Sequence, residues 1–367
     1  MSKNKMKQQF TLRELTEDDS KLLPILLKKT WNHDSNPAFW KWKFSYPGSH
    51  TTGWVIENEC GEIVALAGFW FRKTTIHGKT IFPVQVVDSM ADPKYRGKVY
   101  QKILRKILTN DADMFFGFSN PTSHRIFKGI FKIRKAIILE ATVSVYACKF
   151  NPFIRSPKRS VLYRLGSTAG RTFFRLLEKI QIKSGNICVE KVSVADELFD
   201  NFFNKHAQEY AWIQDRSAAF INWRYVSCPT QQYTILRAMQ NGEMMGYIIV
   251  NFRLVKNETK GVIIDWFVSR SYPEVFDVLI SSAFDWCLNQ KTDSIEIWLF
   301  PHEQSWISII RKHSFIKLKR KSNMLFCYPA TLVKSHELKA TDLFVTPGDS
   351  DYGVLETTVP VQKDSNR

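Results

Sequence analysis

The apolar residues of this chain fall into two rhythms. Short runs rich in β-branched and aromatic side chains, bounded by polar turns, read as strands at Gly53 to Glu57, Ile63 to Phe71, Val84 to Val87, Met114 to Phe118 and Ala141 to Lys149. Elsewhere apolar residues recur at three and four positions. Val99, Ile103, Leu104, Ile107 and Leu108 give one buried face to a helix over Tyr100 to Leu108. The same rhythm predicts helices over Ser20 to Lys29, behind the polar cap Thr16-Glu17-Asp18-Asp19, and over Ser123 to Ile133. With a first strand starting at Phe10, the order is β, α, several strands, then β-α-β-α-β, an α/β fold on a mixed (α+β) sheet.

The pattern then repeats. Phe220-Ile221-Asn222-Trp223-Arg224-Tyr225 followed by Pro229 mirrors Phe39-Trp40-Lys41-Trp42-Lys43-Phe44 followed by Pro47, with one residue inserted. Tyr233 to Leu236, Asn241-Gly242-Glu243 and Met245 to Asn251 mirror Trp54 to Ile56, Cys60-Gly61-Glu62 and Val64 to Trp70, and Ile263-Ile264-Asp265 matches Val86-Val87-Asp88. The aromatic clusters have two readings, a stacking platform for bases or sugars and buried packing. After the shared aspartate the copies part. Asp265 leads into Trp266 and a helix over Pro273 to Asn289 followed by a strand at Ser294 to Phe300, whereas Asp88 leads through Pro93 into the basic turn Tyr95-Arg96-Gly97-Lys98. The expected organisation is a first domain over residues 1–150, a helical connector over 151–187, a second domain over 188–330 and a tail over 331–367.

Charge widens the choice of partners before it narrows it. The chain carries a net charge of +17, which suits nucleotide phosphates, an acidic carrier protein, nucleic acid or an anionic membrane. The connector concentrates this charge: Arg155 to Lys183 holds eight basic residues and one acid, Glu178, interleaved with apolar residues. It reads either as a membrane-surface or partner-docking helix or as a packed linker with solvated charges. The six cysteines are scattered, without Cys-x-x-Cys pairs or neighbouring histidines at zinc spacing, so no metal is expected and the thiols suit a reducing cytoplasm. The N-terminus MSKNKMKQQF is basic without an apolar core behind it, and no run reaches the roughly 18 apolar residues of a membrane span, so a cytoplasmic location is expected. In the tail, Gly348-Asp349-Ser350-Asp351 reads as a polar loop rather than a metal site.

The candidate chemistry lies in the basic turn. Unpaired amides at a helix start, a positive dipole and Arg96 and Lys98 beside them can hold an anion such as a pyrophosphate, and Gly97 lets backbone approach it. An ordinary solvated loop is the competing reading. Asp88 to Lys98, followed some twenty residues later by Gly117-Phe118-Ser119-Asn120-Pro121-Thr122-Ser123, resembles the acyl-CoA site of GNAT (GCN5-related) N-acetyltransferases. The Trp-x-Trp and Trp-Arg-Tyr elements and the terminal Gly-Asp-Ser-Asp resemble bacterial tandem-GNAT proteins, over roughly residues 10–355. The resemblance implies two tandem GNAT-like domains, the first catalytic. It implies that Arg96, Gly97, Lys98 and Val99 hold the CoA pyrophosphate, that Ser89, Met90 and Ala91 pair with the pantetheine arm, and that Asn120 and Ser123 contact the cofactor. Asp88 is the implied base, with a strand-end structural role as its counterpart.

Two positions depart from the family pattern. Val99 stands where the motif has glycine, and Phe127 where many members have a tyrosine acid; Tyr95, Tyr100 and Tyr146 are candidate substitutes. Three readings follow. The first is transfer of an acyl group, acetyl or longer, from acyl-CoA or an acyl-carrier protein to a small amine or amino sugar. The second is a degenerate, non-catalytic GNAT-like binding protein. The third is a basic protein binding nucleic acid or a membrane through residues 155–183, with nucleic acid the less expected of the two.

Overall fold

The computed structural model describes residues 9–46, 53–108, 114–119, 121–133, 135–151, 160–181, 186–255, 258–328, 338–351 and 354. In chain order the first half forms β1 (Thr11–Glu14), α1 (Leu23–Trp31), α2 (Pro37–Lys43), β2 (Gly53–Glu57), β3 (Ile63–Phe71), β4 (Thr74–Ile76), β5 (Lys79–Ile81), β6 (Val84–Ala91), α3 (Arg96–Leu108), β7 (Phe115–Phe118), α4 (Pro121–Ile133) and β8 (Ile137–Lys149). The second half forms α5 (Val161–Gln181), β9 (Cys188–Val192), α6 (Glu197–His206), β10 (Trp212–Gln214), α7 (Ala218–Ile221), β11 (Tyr233–Gln240), β12 (Glu243–Val255), β13 (Glu258–Val268), α8 (Pro273–Asn289), β14 (Ser294–Leu299), α9 (Gln304–Lys312), β15 (Ile316–Tyr328) and β16 (Leu343–Phe344).

These elements make two compact units whose segments are not the sequential blocks expected from the repeat. One unit comprises Met1–Thr74, Lys79–Ala141 and Asn323–Lys339; the other comprises Thr75–Gly78, Thr142–Ser322 and Ala340–Arg367. In the first, β1, β2, β3 and β6 pair antiparallel in that order, β6 pairs parallel with β7, and β7 pairs antiparallel with Met324–Cys327 of β15. In the second, β9, β11, β12 and β13 pair antiparallel, β13 pairs parallel with β14, and β14 pairs antiparallel with Ser144–Lys149 of β8. Each unit thus takes its outer strand from the far half of the sequence. Strand rhythm says that a segment is a strand; it does not say which edge the strand will join.

Local chemistry explains where elements start and stop. The Trp-x-Trp stretch is α2, started by Pro37 and capped by the Asn36 side chain, which accepts from the Phe39 amide at 2.8 Å. Phe39 and Trp40 are fully buried, so the packing reading of these aromatics holds, each contributing roughly 1.5–3 kcal/mol or more of apolar burial. β6 runs through the polar Asp88 to Ala91, past the β-branched run that ends at Val87, with the Asp88 carboxylate set against a buried cation. α3 begins at Arg96, with Tyr95 as the flanking residue whose carbonyl takes the amides of Lys98 and Val99. Val99 and Ile103 anchor its inner face against Phe115, Phe127, Phe131 and Leu325.

Candidate active site

The site of the first unit is made by two irregularities in its sheet. Between β3 and β6, Gly68 pairs with Asp88 but Phe69 pairs with Val86, leaving Val87 without a cross-strand partner. This bulge bends β6 and turns both Val86 and Val87 toward one cavity. Between β6 and β7 only Val84↔Phe115 and Gln85↔Phe116 are paired, and past these the strands part. At Gly117 the two strands are close, since a side chain there would lie 3.2 Å from the Val86 carbonyl oxygen. The opening holds a cavity of about 390 Å³, with Val86, Val87, Ser89 and Ala91 on one wall and Gly117, Ser119, Ser123, Ile126 and Phe127 on the other. Phe115, Phe116 and Phe131 also line it.

One end of the cavity suits an anion. Arg96, the first residue of α3, lines it, and the amides of Arg96 and Gly97 come ahead of Lys98, the first amide that donates within the helix. Nothing lies within 4 Å of where a side chain on Gly97 would sit, so the backbone is open to a close ligand. Val99 is fully buried in the core and is not among the residues with positive φ. The glycine that the motif would place there is therefore not demanded by backbone geometry, and the valine side chain does not stand in the turn.

Behind the opposite wall stands a hydrogen-bonded chain of three side chains that sequence reasoning missed. Ser119 Oγ, at the cavity, is 2.9 Å from His124 Nδ1, and His124 Nε2 is 3.3 Å from Glu140 Oε2. Lys128 pairs with the other oxygen of Glu140 and, ahead of His124, holds that carboxyl below the usual range against the opposing effect of burial. An ionised Glu140 can only accept, so in the neutral imidazole Nε2 keeps the proton and donates to it, which leaves Nδ1 to accept from the Ser119 hydroxyl. The signal available in sequence was a serine at a strand end and a histidine in the first turn of the next helix.

Of the residues singled out from sequence, Ser89, Ala91, Arg96 and Ser123 share the cavity, and Gly97 and Lys98 lie on the adjoining turn. Met90, buried and on the other side of β6, does not line it. Asn120 lies outside the described residues. Asp88 is 2% exposed and faces away from the cavity, 2.8 Å from Lys43 Nζ, itself fully buried among Phe39, Trp40 and Trp70. Phe127 lines the cavity without a polar atom to offer. Neither Tyr95, packed edge-on against Phe10, nor Tyr146 of the second unit is on its wall, and the Tyr100 side chain lies outside the described residues.

The second unit repeats the framework and closes the opening. Ile249 pairs with Asp265 and Val250 with Ile263, so the bulge recurs at Ile264. Where the first unit has Ser89, the second has Trp266, packed at 4.5–5.4 Å against Phe276, Phe344 and Trp306. Its aspartate is tied into the interior: Asp265 accepts from Tyr225 and Tyr247 at 3.1 and 3.2 Å and from Thr346 at 2.9 Å, with Arg216 3.4 Å away. Arg216 also reaches Asp349 at 2.6 Å, so the tail motif is a buried plug rather than a solvent loop. Among the described residues, no group of three or more His, Cys, Asp or Glu could hold a metal, and no helix is long and apolar enough to cross a membrane.

This architecture has known counterparts. The chain is similar to a GCN5-related N-acetyltransferase from Anabaena variabilis (13% identity, TM-score 0.59, covering 87% of this chain and 72% of that one). It is similar to Saccharomyces cerevisiae N-myristoyltransferase solved with bound myristoyl-CoA (11%, TM-score 0.58, 88% and 80%) and to an Enterococcus faecalis protein described as a probable N-acyltransferase (11%, TM-score 0.60, 87% and 72%). No protein-family model matches, and no curated protein is similar in sequence. The fold is that of the GNAT acyltransferases.

Proposed function

We propose that the first unit is an acyl-CoA-dependent N-acyltransferase that passes its acyl group to a small amine or amino sugar. The observation that carries this reading is the parting of β6 from β7 beyond a bulge, with a cavity in the gap and an open helix start at its mouth. Yeast N-myristoyltransferase, which shares the fold, binds myristoyl-CoA, and acyl-CoA chemistry fits the residues here. The α3 amides and Arg96 suit the pyrophosphate, the edge of β6 at Ser89 and Ala91 suits the pantetheine amides, and the apolar interior suits the acyl chain.

Transfer is direct. The amine nitrogen bonds to the thioester carbon, the C–S bond breaks, and the amine gives up one proton as the thiol gains one. We assign the proton path to Ser119 and His124 rather than to Asp88. Ser119 touches the cavity and backs onto a histidine that Glu140 holds in the accepting tautomer, whereas Asp88 is engaged with Lys43. No tyrosine acid is required at Phe127, because the proton taken by His124 can return to the departing thiolate, whose thiol pKa lies near that of cysteine.

The test is thiol release from acetyl-CoA and longer acyl-CoAs with a panel of amines. Ser119→Ala and His124→Gln are expected to lower kcat by about a hundredfold with KM for acyl-CoA little changed. Unaltered turnover in both variants would remove the relay. Absence of thiol release and of acyl-CoA binding would remove the enzyme reading itself.

A further inference from the structure

α5 divides its circumference three ways. Gly166 and Ser167 are buried, and Phe174 packs against Phe150 and Phe284 at 5.5 and 6.3 Å, so this side is fixed within the second unit. At about 100° per residue, Val161, Leu162, Leu165, Phe173 and Leu176 fall in one neighbouring arc. All five face solvent, at 69, 57, 63, 56 and 58% exposure. Arg164, Arg171 and Arg175 lie in the remaining arc beside the apolar stripe, Arg171 donating to Ser167 and Arg175 to Asn289 at 3.0 Å. Among the described side chains of α5, Gly166, Ser167 and Phe174 take the packed side while these five long apolar ones face outward.

We propose that α5 is an interfacial anchor that lays this stripe into the surface of an anionic lipid bilayer, with its arginines at the phosphate level. The apolar arc supplies burial, the adjacent guanidinium groups supply attraction to headgroups, and their aliphatic stems cover the boundary between the two. A second copy of the chain fits less well. The segment from Arg155 to Lys183 has eight basic residues against one acid, in a chain of net charge +17, so apposing two such helices brings like charges together. α5 does not qualify as a membrane span, so it lies on the bilayer rather than through it.

The experiment uses the full chain with vesicles of phosphatidylcholine alone and of phosphatidylcholine mixed with phosphatidylglycerol. Flotation with the anionic vesicles at low salt is expected, at least about tenfold weaker on neutral ones. Leu165→Glu/Phe173→Glu, both at exposed positions, is expected to lose anionic-vesicle binding by a similar factor. Hydrogen exchange on the unaltered protein provides a readout that does not depend on the variant folding: anionic vesicles should slow exchange across residues 161–176. No flotation, undiminished flotation of the variant, or unchanged exchange over α5 would overturn the proposal. So would a wild-type dimer that the double substitution converts to a monomer, which would assign the stripe to a second copy.

Discussion

Asp88 shows how little a residue's identity says without its partner. Its place after Val86-Val87 was readable, and so was the resemblance that made it a base, but nothing in a lysine within an aromatic run announced that Lys43 would be buried 2.8 Å away. A buried pair stabilises little relative to apolar residues yet costs much when halved. We therefore expect Asp88→Asn to destabilise the protein by about 3–5 kcal/mol in urea unfolding, and the double change Lys43→Met/Asp88→Leu to recover most of that loss. Equal stability of Asp88→Asn and wild type would return the aspartate to the list of candidate bases. The turn residues were more legible, because an amide-rich helix start needs only Arg96-Gly97-Lys98 in sequence order. Ser119, His124 and Glu140 were not, since their meeting depends on a strand and a helix folding back together.

At the scale of elements, long apolar runs were read to the residue, as for β2 and β3, whereas boundaries set by side-chain contacts were missed. α3 starts ahead of its apolar rhythm, and β6 outlasts its β-branched run. The functional element is the separation of β6 from β7, and Gly117 limits it. Gly117→Val would press a branched side chain against the Val86 carbonyl and into the cavity, so we expect at least about a tenfold weaker acyl-CoA Kd with the melting temperature lowered by only a few degrees. The start of α9 offers a separate check. Glu303, which flanks it and accepts from the Phe300 amide at 3.0 Å, has its carboxyl pushed up to about 7 by burial, against the opposing effects of that hydrogen bond and Arg270. The folded state keeps a proton there that the unfolded chain loses near the ordinary 4.5. Unfolding free energy should thus fall on the order of 3 kcal/mol as pH rises from about 4.5 to about 7, then level off. Glu303→Gln should flatten that part of the profile; a profile unchanged by the substitution would rule out this carboxyl as its source.

The whole molecule is two copies of one strand pattern that part after the shared aspartate. Both copies carry the bulge before an aspartate, Val87-Asp88 and Ile264-Asp265, yet Ser89 lines a cavity where Trp266 packs among Phe276, Trp306 and Phe344. The repeat was visible in sequence because it preserves residue order; the crossing of outer strands was not, because it preserves none. A fragment of residues 1–150 lacks Met324–Cys327, the strand that covers β7 and stacks Phe326 on Phe116. We expect it to melt without cooperativity and to show weak near-ultraviolet circular dichroism, whereas a sharp transition would mean the first unit is complete without the strand. The claim on which the functional reading depends is that the gap between β6 and β7 holds an acyl-CoA. Isothermal titration of the full chain with acetyl-CoA and longer acyl-CoAs tests it directly. Saturable binding of one thioester per chain, weakened by Gly117→Val and by Arg96→Ala, is the expected result; no binding at millimolar ligand, or binding indifferent to both substitutions, would contradict it.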